Sequence, residues 1–509
     1  MVWAIGSPFR RRGRDVNPMH TTRIRPSVLL ASMAIVAAGI VPAADAAIRH
    51  VDGTLTTGAG NGTSWADAYR GPTALTAAIS ASVSGDEIWV KAGTYRPSDS
   101  GSRTASFVMR TGVGIYGGFA GTETQRDQRN IAANETILSG DLLANDTTST
   151  TTFSDNSYHV VLGSSVASSA VLDGFTVRAG NANLASSNND KGGGILVLTS
   201  GQPTVRNCRF IANRCTFGGG AGYIFGAGGT FVRCEFIDNV GGSYGGAFDC
   251  NNTTVTWESC LFRNNSASRA GAIESYGSSQ SRITNCIFVA NRATGSNGGA
   301  AMWIGVSSAV TMRNCTLYAN VATSLAGGII NTSGSSTVAN CIFWANTGPG
   351  GTTAANQISN SGGTTTVSHS IVQGGFTGTG NLSSDPQFID AAAGDFRLQP
   401  ASPALDSGAN ASVPAGVTTD FAGNARFVDS PAADSGSGTA PVVDRGAFEW
   451  QPSAPACPAD VTGDGTIDGF DIAALLSGWG SAGDADINGD GTINGLDLTA
   501  LLSAWGPCP

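Results

Sequence analysis

Between Asn207 and Asn346 the chain repeats one phrase six times: NCRFIAN, RCEFIDN, SCLFRNN, NCIFVAN, NCTLYAN and NCIFWAN. Its cysteines, Cys208, Cys234, Cys260, Cys286, Cys315 and Cys341, are 26, 26, 26, 29 and 26 residues apart. Two positions after each stands Phe210, Phe236, Phe262, Phe288, Leu317 or Phe343. Five positions after stands Asn213, Asn239, Asn265, Asn291, Asn320 or Asn346. A fixed period of this length signals a solenoid. Residues two apart share one face of a strand, so Cys and Phe point together and the Asn falls where the strand turns. A second phrase lies between the cysteines: GGAGYIF, GGAFDC, AGAIESY, GGAAMWI and GGIINT. Its glycines suit a turn and its tail alternates again.

This period is too long for a two-strand hairpin and carries no helical stripe. It suits one coil of a parallel β-helix, with about three short strands per coil and coils stacked about 4.8 Å apart. Equivalent residues then form columns. Phe and Cys fill the interior, and the six Asn form a structural ladder, amide to amide along the axis. Stacked Cα atoms at that spacing fall within disulfide range, but parallel Cβ atoms stay beyond the limit of about 4.5 Å. The column cysteines therefore read as small buried hydrophobes. A straight column does not converge tetrahedrally on a metal either. Cys215 and Cys250 stand off the column and receive no role.

Counting three past the second Gly-pair position gives a further column: Tyr223, Asp249, Glu274, Met302 and Asn331. Alternation with Phe248 and Ile273 points these residues outward. Asp249 and Glu274 fall on adjacent coils, their carboxyls about 5 Å apart, which pushes one pKa up. That separation also suits a retaining glycosidase pair. Asp249 and Glu274 are thus the catalytic candidates, and Tyr223 and Asn331 the ligand-binding ones. A solvated or cation-bridged pair is the alternative.

The chain has 509 residues, 41% hydrophobic and 13% charged, enough for a large core. Arg23 and Arg25 precede an apolar run, Val28 to Val41, and Ala44-Asp45-Ala46 has the form of a cleavage site. Residues 1–46 therefore read as a signal peptide, with Met19 an alternative start, and the protein as exported, extracellular or at the cell surface. The run is short for a membrane span, and no later segment is long and apolar enough for one. Arg10 to Arg12 stand too far from it for a twin-arginine signal. Residues 1–46 hold six Arg and two Asp of the 28 basic and 37 acidic residues, leaving 22 and 35, a net charge of −13. So acidic a surface disfavours a phosphate-backbone partner, and the sequence carries no nucleic-acid signature.

After the signal, Thr73 to Val83 places Leu75, Ala78, Ile79 and Val83 on one helical face, fit to cap the open solenoid end. SWADAY (64–69), DEIWVKAGTY (86–95), GGFAGTETQRDQRN (117–130), TILSGD (136–141), NSYHVV (156–161) and LDGFTVRAGNAN (172–183) follow. DPQFIDAAAGDFRLQ (385–399), SPALD (402–406) and DRGAFEW (444–450) close the region. These segments resemble exported right-handed parallel β-helix proteins of the choice-of-anchor type. The GGA[I/F] and FxxN phrases resemble polymorphic outer-membrane-protein repeats, although this chain lacks that family's terminal β-barrel. The resemblance implies an all-β, right-handed parallel β-helix over 47–450 and says little of activity.

A linker, 451–456, precedes a different object at 457–509. DVTGDGTIDGFD (460–471) and DINGDGTINGLD (486–497) are 12-residue loops, 26 apart. Asp460, Thr462, Asp464, Thr466, Asp468 and Asp471, and then Asp486, Asn488, Asp490, Thr492, Asn494 and Asp497, stand at calcium-loop spacing. Side-chain oxygens alternate, a carbonyl is offered at position 7, and Gly at 6 permits the sharp turn. Each loop runs into a short helix with an apolar stripe: Ile472, Leu475, Leu476 and Trp479, then Leu498, Leu501, Leu502 and Trp505. The pair resembles a type I dockerin, which implies two calcium ions and a cohesin-like partner. Thr462 at position 3 weakens the first loop. Gly469-Phe470 and Gly495-Leu496 replace the Ser/Thr recognition pair of many cellulosomal dockerins. Cys457 and Cys508 bracket the module, and a bridge between them would clasp its ends.

Two functions stand against each other. One is extracellular binding or attachment, to polysaccharide or a surface receptor, with a docking tail. The other is a polysaccharide-degrading hydrolase or lyase delivered by that tail. Catalytic signs are few. Beyond the signal there are three histidines, His50, His159 and His369, with no G-H-G, no clustered Asp pair and no R-x-x-P-x-x-R run.

Overall fold

The computed structural model describes residues 46–146, 150–451, 457–483 and 485–508. The expected signal segment (apart from Ala46) and 452–456 of the linker lie outside them. Each 26-residue period is one coil. Strands Phe248–Asn251, Thr254–Glu258, Leu261–Arg263 and the two-residue Ser266–Ala267 make up one, and Ile273 starts the next. Equivalent strands pair in parallel. They build a first sheet of 12 strands (through Thr254–Glu258), a second of 10 (through Leu261–Arg263) and a third of 9 (through Phe248–Asn251). Register holds residue by residue, with Phe210, Phe236, Phe262, Phe288, Leu317 and Phe343 as successive partners.

Two single-residue turns bracket each second-sheet strand. Asn207, Arg233, Ser259, Asn285, Asn314 and Asn340 precede the cysteines; Ala212, Asp238, Asn264, Ala290, Ala319 and Ala345 precede the ladder Asn. All twelve have φ between 50° and 57°. Asn tolerates this left-handed region best after Gly, and it fills four of the six positions before Cys. Such a residue costs about 1–3 kcal/mol and persists only where its surroundings over-determine it. The following residue does so. Asn239 donates from N (3.1 Å) and Nδ2 (3.0 Å) to Asn265 Oδ1, and Asn265 repeats both bonds to Asn291 at 3.1 and 3.0 Å. Asn265 Nδ2 also reaches Phe236 O, 2.8 Å away one coil back. The ladder runs from Asn213 to Asn346, and each member is wholly buried. Gly180 N opens it on Asn213 Oδ1, and Gln357 closes it, accepting from Asn346 Nδ2 and donating to Asn346 O.

Beside the ladder Phe236, Phe262 and Phe288 stack at 4.9 and 4.6 Å, and Trp257 lies on Phe231 at 4.5 Å. The column cysteines are free thiols, all buried. They also form a second ladder: the amides of Cys260, Cys286 and Cys315 each donate to the next Sγ at 3.4 Å, and Cys341 N continues to Ser370 Oγ at 3.0 Å. Burial pushes the Cys208 thiol up to about 12. Cys250 is partnered by Ile224 and Ser275 and belongs to the core; Cys215 is buried in a short strand opposite Asn181–Ala182.

At the N-terminal end the helix Ala74–Ala81 turns Ala74, Leu75, Ala78 and Ile79 into the main core. Val83 is not on that face. The helix ends two residues earlier at Ala81, the chain extends, and Val83 is exposed. At the other end the chain folds back. Phe388, Phe396, Leu398 and Leu405 cover the outer face of the second sheet against Ile287, Ile342, Tyr318 and Trp344. SPALD and DRGAFEW form one polar clasp there. Buried Arg426 donates to the carbonyls of Ala447 and Gly446 and lies 3.7 Å from Glu449. Arg445 donates to Ser407 O and Ser370 O, and Asp444 accepts the amides of Asp406 and Trp450. Buried charges persist only when paired in this way.

Candidate functional site

Asp249 and Glu274 are register partners on adjacent coils, and Tyr223 is the partner of Asp249 on the other side. They point away from the solenoid interior yet are covered, with only 4%, 1% and 6% of their surfaces exposed. The long turn of each coil forms the roof. Lys191 lies 4.6 Å over Phe217, which meets Tyr244 edge-on at 4.8 Å. Arg269 lies 4.3 Å from Tyr244 and 4.0 Å from Trp303. Cations thus lie over aromatic rings along the coils, each such contact favourable where water is thin. Arg269 grips Glu274 with Nε at 3.0 Å from Oε2 and Nη2 on Oε1. Glu274 is therefore a cation-bridged carboxylate. Asp249 has no such clamp. Burial first, and Glu274 next, push its carboxyl well above the ordinary value. Gly218 passes so close that an added Cβ would sit 2.2 Å from Asp249 Oδ2. Closed over in this way, the pair does not meet a polymer.

Met302 and Asn331 fall elsewhere than expected. Met302 is the partner of Ile273 and faces the core; Trp303 holds the place beside Glu274, followed by Ile330. Asn331 pairs with Ile304 in the inward column. It is wholly buried, donating to Thr364 O at 3.0 Å and accepting from Gly334 N at 2.9 Å, so a ligand cannot reach it.

An open site lies instead at the turn between the first and second sheets. Phe175, Thr176, Asn207, Arg209, Arg233, Glu235 and Glu135 line a groove of about 550 Å³. A neighbouring hollow of about 480 Å³ shares Asn207 and Arg233 and adds Arg126, Arg129, Arg206 and Asp173. Arg209 bridges two acids, 3.1 Å from Glu235 and 3.6 Å from Glu135. Asp173 is neutralised by Arg129 and Arg206. Arg233 donates to Asn207 Oδ1 at 2.9 Å and has no carboxylate partner among the described residues. The sequence signal for this groove is the charged residues flanking successive cysteines, Arg209, Arg233 and Glu235.

In the C-terminal module both 12-residue loops wind around their first carboxylate. Asp460 accepts the amides of Gly463, Asp464 and Gly465; Asp486 accepts those of Asp490 and Gly491. Asp471 and Asp497 at position 12 reach back to the amides of Thr462 and Asp468, and of Asn488 and Asn494. Gly465 and Gly491 at position 6 take φ of 86° and 91°, closed to most side chains. Asp468 and Asn494 at position 9 cap helices Gly469–Ser477 and Gly495–Ser503. The donor set, carboxylates with hydroxyl, amide and carbonyl oxygens, fits a hard cation. Thr462 Oγ is turned onto Asp471 Oδ1 at 2.9 Å, whereas Asn488 lies against Asp490. Cys457 and Cys508 form a disulfide with Cα atoms 6.0 Å apart.

A family model described as "Right handed beta helix region" matches residues 144–297, and the solenoid is a right-handed parallel β-helix. Among solved structures the chain is similar to "Crystal structure of pectate lyase Pel9A". The identity is 14% and the TM-score 0.40, over 80% of this chain and 97% of that one. No curated protein matches the sequence.

Proposed function

We propose that this right-handed β-helix is an exported protein of extracellular binding and attachment. It holds polysaccharide along the solenoid and docks to a cohesin-like receptor through a calcium-loaded, dockerin-like tail. The observation that carries this reading is the apolar face of the tail. Phe470, Leu476 and Trp479 are 72%, 51% and 49% exposed; their equivalents 26 residues on, Leu496, Leu502 and Trp505, are 63%, 51% and 52% exposed. Six large apolar side chains left in water on so small a module mark a partner surface. Calcium, when bound, compensates the crowded carboxylates, and its binding free energy becomes folding free energy. Asp460, Thr462, Asp464, Thr466, Asp468 and Asp471 hold one ion; Asp486, Asn488, Asp490, Thr492, Asn494 and Asp497 hold the other. The Asn488 loop fills first, because Thr462 is already engaged with Asp471.

On the solenoid, the groove at Arg209 and Arg233 offers a guanidinium without a carboxylate partner, Arg233, with hydroxyl and amide neighbours, a donor set suited to sugar hydroxyls and carboxylates. The closed roof over Asp249 and Glu274 favours binding over hydrolysis. The test uses the full chain. A panel of cohesin modules should capture it only with calcium, and Phe470→Asp with Leu496→Asp should abolish capture. Capture indifferent to both would overturn the docking reading. On a glycan array, Arg209→Ala with Arg233→Ala should weaken binding at least about tenfold, one such lost contact being worth about 1.5–3 kcal/mol. Release of new chain ends from a bound polysaccharide would establish the hydrolase or lyase instead.

A further inference from the structure

The segment that closes the solenoid gathers three carboxylates. One oxygen from each of Asp406, Asp429 and Asp434 lies within 4.8 Å of the other two, the one such group of acidic, His or Cys ligands among the described residues. Asp406 is wholly buried. Its Oδ2 accepts from Ser430 Oγ, while its Oδ1 has no hydrogen-bond partner. The residue is held from both sides: its amide donates to Asp444 Oδ1 at 2.7 Å, and its carbonyl accepts the amides of Ser435 and Gly436 at 2.9 and 3.0 Å. No Lys or Arg among the described residues forms an ion pair with any of the three.

A buried carboxylate with one oxygen left without a donor, clustered with two more carboxylates, is unfavourable twice over. It is desolvated, and it is repelled by its neighbours. A bound cation removes both terms at once. Three oxygen anions with neither sulfur nor imidazole select a hard ion. Asp429 and Asp434 are exposed, so the open side admits the ion and the waters that complete its shell. Calcium tolerates such an irregular, partly hydrated set of six to eight oxygens; magnesium demands a near-ideal octahedron.

We propose that Asp406, Asp429 and Asp434 form a calcium site that pins the 429–434 loop to the closing clasp of the β-helix. The site is independent of the docking reading. It is tested in the full chain carrying Asp460→Ala and Asp486→Ala, which removes the first carboxylate of each tail loop. Equilibrium dialysis at about 1–2 mM calcium, the range of weak extracellular sites, should lose one ion per chain when Asp429→Asn and Asp434→Asn are added. Calcium should raise the melting midpoint of the solenoid before those two changes and not after. Both side chains face solvent, so circular dichroism without calcium should superimpose for the two proteins. An unchanged ion count overturns the site, as does a midpoint that responds to calcium equally in both proteins.

Discussion

The solenoid and the C-terminal module both repeat every 26 residues and use the repeat in opposite ways. In the solenoid the equivalent residues stack: Asn239 touches Asn265, and Phe236 touches Phe262, so each coil buries the face of the one before. In the tail there are two copies and no third. Its core consists of three equivalent pairs, Ala459 with Ala485, Ile467 with Ile493 and Leu475 with Leu501, and much of its remaining apolar surface stays in water. A period sets the size of a unit; what recurs inside it decides whether units translate into a stack or close as a pair. The stack gains an interface with every coil. The pair is too small for that; it carries a covalent clasp and, in the function proposed above, relies on calcium as well.

That contrast is sharpened by perturbations confined to one side. The largest effect belongs to the clasp. Cys457→Ser with Cys508→Ser opens a loop of 51 residues and should cost the tail about 4 kcal/mol. Urea unfolding of residues 457–509 should show this, with the solenoid transition in the full chain unmoved; a stable double-Ser tail would mean that its six-residue core suffices. Next comes Asn265→Ala. It takes from the amide and Nδ2 of Asn239 their shared acceptor and from Phe236 O its Nδ2 donor, leaves Asn291 Oδ1 only the backbone amide of residue 265, and should cost the solenoid on the order of 3 kcal/mol. An unaltered thermal midpoint would mean that coils, like the tail, do not depend on their neighbours.

Within the roofed column the two carboxyls should part company. Glu274→Gln leaves the Arg269 guanidinium without its anion, costing about 2 kcal/mol. Asp249→Asn should change stability by under about 0.5 kcal/mol below the ordinary carboxylate range, and should stabilise relative to the wild type as pH rises above that range. The sign follows from its raised folded value. The stability Asp249 contributes is complete below the ordinary carboxylate range and is lost as pH rises toward the folded value. Midpoints should therefore drift down in the wild type as pH rises above the ordinary carboxylate range, and less steeply in Asp249→Asn. Equal slopes would show Asp249 ionised throughout. Smallest of all, Phe470→Ser and Leu496→Ser should each move the tail midpoint by an amount worth less than about 0.5 kcal/mol, as exposed positions do. A large loss there would place these side chains in the tail's core rather than on its face.

The inward columns were legible because one residue type recurs at one phase in every coil. The outward column was legible only in part. Counting from the Gly pair fails in the last two coils, where Gly298-Gly299 stands one place before, and Gly327-Gly328 one place after, the register equivalents of Gly245-Gly246. Ala and Gly substitute for each other in that turn, whereas the apolar inward residue holds register. The roof was hidden because it is built from a turn whose members, Phe217, Tyr244 and Arg269, differ in type, and Phe217 stands one place before the register partner of Tyr244. The fold-back was hidden for another reason. Its contacts, such as Thr316 with Ala447 and Asn285 with Thr419, span 131 and 134 residues and leave no local period.

An amide column is a template, and a template with an open end recruits. Here neither end is open. Gly180 occupies the first acceptor, and Gln357, carried in by the short helix Ala354–Gln357, matches the last Asn donor for acceptor. The column therefore terminates as a polymer does when both ends are quenched. Molecules crowded at a surface find no free amide on it through which to grow into a fibre, and the length of the rod is written into a single chain.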